Sequence, residues 1–71
     1  MKMIEVDSRA ISHIGYDNKT LGMKITFKQS GTYNYCNVPQ SIFDEFLNAS
    51  SVGTYYAQNI KDEYNCEEYF N

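Results

Sequence analysis

In Leu21-Gly22-Met23-Lys24-Ile25-Thr26-Phe27-Lys28 every odd position is apolar and every even one is small or polar. Successive side chains on a β-strand point to opposite faces, so this spelling commits the segment to a sheet with one face on a core and one toward water. The next residues, Gln29-Ser30-Gly31, suit a three-residue hairpin loop. Such a loop usually ends in a left-handed residue, and Gly31 fits because it has no Cβ to clash. On that reading Lys28 pairs with Thr32, Phe27 with Tyr33 and Ile25 with Tyr35, so both tyrosines of the strand Thr32–Val38 join the apolar row. A two-residue loop would slip the register by one and turn both rings toward Lys24 and Thr26, without placing its glycine where the turn needs it.

The remaining elements follow from shorter patterns. Ile11–Tyr16 reads as a strand running into the turn Asp17-Asn18, and Met1–Val6 as a short edge strand or a segment lying along the domain. Pro39 suits the first turn of a helix, where a missing N–H costs nothing, and Ile42, Phe43, Phe46 and Leu47 then form an apolar stripe. Asn48-Ala49-Ser50-Ser51 interrupts it, with a serine available to cap a second helix. Val52, Tyr56, Ile60 and Tyr64 recur every four residues as that helix's inward side, with Lys61, Asp62 and Glu63 on its outer side. The expected fold is α+β: a three- or four-stranded antiparallel sheet with two C-terminal helices packed on one face.

With 71 residues there is room for one domain and one small core. Seven Tyr and four Phe supply the bulk that a short chain needs to bury. Charge is unevenly spread. Residues 1–31 hold Lys2, Arg9, Lys19, Lys24 and Lys28 against Glu5, Asp7 and Asp17, whereas residues 32–71 hold Lys61 against Asp44, Glu45, Asp62, Glu63, Glu67 and Glu68. The second half would repel phosphate at moderate salt. Cys36 and Cys66 lack metal-site spacing and the single His13 completes no cluster, so neither a metal nor a cofactor is expected. The N-terminus has no apolar leader and no stretch is long enough to span a membrane, which favours a cytoplasmic protein with reduced thiols over a Cys36–Cys66 bridge.

Several short signatures then occur in order: SHIGYD at 12–17, TYNY at 32–35, Val38-Pro39, Leu47 with Ala49, and SVGTYY at 51–56 followed by Ile60-Lys61 and Tyr64. Together they resemble the KTSC domain, over a core of about residues 8–64 within a single unit 1–71. That family occurs at the C-terminus of some lysyl-tRNA synthetases and as free-standing bacterial and phage proteins. The resemblance implies an adaptor without enzymatic activity working near RNA, with Tyr33 and Tyr35 as its YxY signature.

Two surfaces are candidates for binding. If Tyr33 and Tyr35 are core rather than a base-stacking platform, then Lys24, Thr26, Lys28 and Asn34 share the other face of the sheet with Thr32. That polar, mildly basic face can take RNA or a protein that handles it. The alternative uses Asp62, Glu63, Glu67 and Glu68 as a phosphate-mimicking surface of a small acidic phage-type inhibitor directed at a basic host protein. For catalysis there is only His13 beside Ser12, with no oriented third partner. The reading is a binding module, not an enzyme.

Overall fold

The computed structural model describes residues 1–66. The alternating segment forms β3 (Gly22–Phe27) of a four-stranded antiparallel sheet, with β1 (Met3–Glu5), β2 (Ile11–Asp17) and β4 (Gly31–Tyr35) in the order β1-β2-β3-β4. Helices α1 (Gln40–Leu47) and α2 (Val52–Asn59) follow. The chain is thus α+β, with the sheet first and both helices after it.

β2 holds an irregularity that its sequence demands. Ile11 and Ile14 are three apart, which in a regular strand would put them on opposite faces. Both are fully buried. The register shifts between Ile11 and His13, so that Ile11 pairs with Phe27 and His13 with Thr26, leaving Ser12 as the extra residue of a β-bulge. Ile14 then faces Ile25, and Tyr16 faces Met23. Ile11, Ile14, Met23 and Ile25, with Tyr35, Val38, Phe43, Phe46, Val52 and Ile60, make one buried cluster between sheet and helices, and the partly buried Tyr16 packs against it.

The hairpin is offset from its expected position. Phe27 pairs with Gly31, Ile25 with Tyr33 and Met23 with Tyr35, so the connection is Lys28-Gln29-Ser30 and Gly31 opens β4 at φ +98°. Moving a three-residue connection by one position changes the register by two and preserves side-chain parity. Both tyrosines therefore stay on the apolar side, although each has a different partner from the one expected. Leu21, expected in the strand, is instead a turn residue at φ 63°; its N–H bonds Asp17 O and its carbonyl accepts from Val38 N.

The segment after α2 departs most from expectation. Ser51 caps α2, its Oγ accepting from Thr54 N at 3.3 Å, but the helix ends at Asn59 and Lys61, Asp62 and Glu63 lie in the turns beyond it. Ile60 is fully buried. From that anchor the chain turns back to β4: Cys36 N donates to Tyr64 O at 2.7 Å, Asn65 bridges Tyr35, and Cys36 is disulfide-bonded to Cys66 with the Cα atoms 4.9 Å apart. The thiols are paired rather than reduced because the fold brings residue 66 beside the end of β4, a proximity that linear spacing does not encode. No helix among the described residues is long and apolar enough to cross a membrane.

Candidate functional site

The inward-facing tyrosines of β4 have different fates. Tyr35, opposite Met23, is 5% exposed, whereas Tyr33, one step nearer the hairpin, is 48% exposed. Both had been expected in the core. The correction has a physical cause: β4 is the sheet edge, and the aromatic cover reaching Phe27 and Tyr35 comes from Tyr56, while among the described residues Tyr33 has Phe27 alone as its aromatic neighbour. Tyr33 is left as a wall rather than a filler.

Phe27, Ser30, Tyr33, Tyr35 and Tyr56 line an open pocket of about 220 Å³. Its rings meet edge to face. Phe27 lies 5.6 Å from Tyr33 at 77° and 5.2 Å from Tyr56 at 72°, and Tyr35 lies 6.0 Å from Tyr56 at 81°. The Tyr35 and Tyr56 hydroxyls share a hydrogen bond of 2.8 Å, and burial, then that bond, raises the Tyr35 phenol well above its ordinary range. Elsewhere aromatic pairs stack nearly parallel, as Tyr16 on Phe43 (4.6 Å, 11°) and Tyr55 on Phe46 (5.7 Å, 24°).

The opposite face of the sheet carries the residues singled out for nucleic acid. Lys24 pairs with Asn34 and with Gly15, and Thr26 pairs with Thr32 and His13, so Lys24, Thr26 and Asn34 do share a surface. The Thr26 and Thr32 hydroxyls bond each other at 2.8 Å, and His13 Nδ1 lies 2.9 Å from Ser12 Oγ. Lys28 sits apart, in the turn beyond β3, lining a hollow with Glu5, Val6, Asp7 and Ser12. Met1 and Met3 lie across Gly15, so closely that a Cβ there would collide with both. The face is mixed rather than basic, with two methionines beside a single lysine. Of the four acids proposed as a phosphate mimic, Asp62 and Glu63 are exposed in the turns after α2, and Glu67 and Glu68 lie outside the described residues. Among the described residues no three His, Cys, Asp or Glu side chains gather to hold a metal.

Sequence reasoning missed the pocket, because Tyr56 was placed only on an inward helical stripe. Its meeting with Tyr35 and Phe27 depends on how α2 crosses the sheet. A second pairing was also missed: the Tyr55 hydroxyl donates to Glu45 Oε1 at 2.9 Å, and burial, then that bond, pushes the phenol up to about 12.

The KTSC domain family model matches residues 7–64. The chain belongs to the KTSC domain family. A KTSC domain protein of Yersinia pestis has the same fold in its crystal structure, with a TM-score of 0.90 and 32% identity over 97% of each chain. A protein of Tsukamurella paurometabola is 34% identical over 62 residues, covering 87% of this chain and 92% of its own length. A lysine–tRNA ligase of Nostoc punctiforme is 27% identical over 66 residues, covering 93% of this chain; the KTSC chain spans 12% of that relative's length.

Proposed function

We propose that this KTSC chain is a non-catalytic binding module for a protein partner in nucleic-acid handling, and that the contact is made at the aromatic pocket on the β4 side. The observation that carries this is Tyr33, a large ring 48% exposed on an edge strand at the rim of a pocket walled by three more aromatic rings. Exposed aromatic side chains beside a concavity are the residues on which interfaces most often concentrate their binding energy. The nucleic-acid setting is supported by the relative in which a similar segment is joined to a lysine–tRNA ligase. A protein partner is favoured over RNA itself because phosphate binding needs a track of cations. Here Lys24 stands beside two methionines, Lys28 shares its hollow with Glu5 and Asp7, and the net charge is -3.

The test compares Tyr33→Ala with Lys24→Glu. Partner capture from cell lysate is expected to survive nuclease treatment, to survive Lys24→Glu, and to be lost with Tyr33→Ala. Salt-sensitive binding of purified tRNA that disappears with Lys24→Glu would overturn the assignment and return the contact to the lysine face.

A further inference from the structure

The pocket has a chemistry that narrows what it accepts. Its lining is four aromatic rings and one serine, with neither a basic nor an acidic side chain among them. An anion such as phosphate finds no countercharge there. For a neutral polar group it offers hydroxyls, those of Tyr35 and Tyr56 bonded to each other and those of Tyr33 and Ser30 beside them, but no charged partner. What the walls do offer is four aromatic rings packed edge to face beside one hollow, and an aromatic face exposed there attracts a cation through its quadrupole.

Size and field agree with this. About 220 Å³ is the volume that about seven waters would fill, enough for the head of an organic cation. The chain as a whole carries a net charge of -3, so its long-range potential favours the approach of a cation over that of an anion. Tyr33 leaves one wall open to water, giving such a group a way in.

We infer that the Phe27–Tyr33–Tyr35–Tyr56 pocket is an aromatic cage for an organic cation, presented as the ammonium or guanidinium head of a basic side chain on the protein partner. This rests on the pocket being the partner contact. The cage explains how an acidic module with no charged side chain lining its contact point can still be selective: it reads charge through ring faces, and it rejects an uncharged group of the same shape.

The experiment uses that difference. Choline and its uncharged isostere 3,3-dimethylbutan-1-ol are titrated into the full chain while the tyrosine ring signals are followed by NMR, and arginine amide is added as a competitor to distinguish guanidinium from ammonium acceptance. Choline is expected to bind about threefold to thirtyfold more tightly than the isostere, the range that cation–ring attraction spans between exposed and desolvated sites. Tyr33→Leu, which keeps an apolar side chain at an exposed position, is expected to weaken that preference with the fold unchanged. Equal affinity for the two probes, absence of saturable shifts at the pocket rings, or a preference undiminished by Tyr33→Leu each overturns the cage. If Tyr33→Ala abolishes partner capture while choline and the isostere bind alike, the contact site stands and the cation inference falls. If choline is preferred while capture is indifferent to Tyr33, the cage no longer reads the partner and the inference as stated is also overturned.

Discussion

Reducing the Cys36–Cys66 bond, or replacing both cysteines by serine, removes a link that closes a loop with a sequence separation of 30 around both helices. In the chain-entropy treatment a loop of that length is worth about 3.6 kcal/mol at 25 °C, because the cross-link restricts the unfolded chain far more than the folded one. A domain of this size has a total stability of about 4–10 kcal/mol, so the loss is a large share of the margin. The same loss corresponds to a fall in Tm of about 15–30 °C. Urea unfolding followed by circular dichroism and tyrosine fluorescence, with and without reductant, measures it directly. The native ladder does not need the sulfurs: Cys36 N still bonds Tyr64 O, and Asn65 still bridges Tyr35. Amide shift changes are therefore expected near residues 36 and 64–66, with the core cluster unchanged. An unfolding midpoint that does not move on reduction, in a chain verified to be oxidised at the start, would refute the reasoning; so would native-state changes spread through the core.

Three further outcomes follow from the geometry. Tyr35→Ala is expected to cost about 3–5 kcal/mol by chemical denaturation, as a large ring removed from a packed site, whereas Tyr33→Ala should cost about 0.5–1.5 kcal/mol, the value of its pairing with Phe27. Gly31→Ala meets no atom within 4 Å yet should still lose about 1–2 kcal/mol from the positive φ alone, and Gly31→Asn, which tolerates that backbone better, should lose less. Alkali should destabilise the fold. Tyr16, Tyr35 and Tyr55 are all held above the ordinary phenol value of 10.0, chiefly by burial, so the folded chain retains protons that the unfolded chain releases. Stability is full below pH 10 and falls as pH rises from there toward 12, and a pH series of unfolding midpoints that stays flat through that window would contradict it.

Much of this was legible in the residues themselves. The alternation at Leu21–Lys28 supplied β3 and its inward face, and the glycine at 31 announced a positive φ that the structure adopts. The sheet-then-helices order also followed from local pattern. What escaped were events that depend on tertiary partners. Leu21 sits in a left-handed turn because its amide and carbonyl are held by Asp17 and Val38, and nothing in a leucine advertises that. The every-four recurrence of Val52, Tyr56 and Ile60 is genuine, but Tyr64 extends it by coincidence, since the chain has already left the helix to reach β4. Side-chain parity gave the facing of Tyr33 correctly and said nothing about whether an edge residue on that face would be covered. The candidate pocket lies in that gap: its walls come from β3, β4 and α2 and acquire a common purpose only once the layers are assembled.

The bulge at Ser12 carries an unusual implication for length variants. Losing one codon from a half-buried strand normally turns everything on one side of the lesion inside out. At Ser12 the opposite holds, because the remaining run Ile11-His13-Ile14-Gly15-Tyr16 needs no correction to keep both isoleucines inward. The domain should accept a deletion at this position with only local cost to the bonds of Ser12, its carbonyl with Val6 N and its hydroxyl with Thr26 O and His13 Nδ1, while the same deletion two residues later would expose the core.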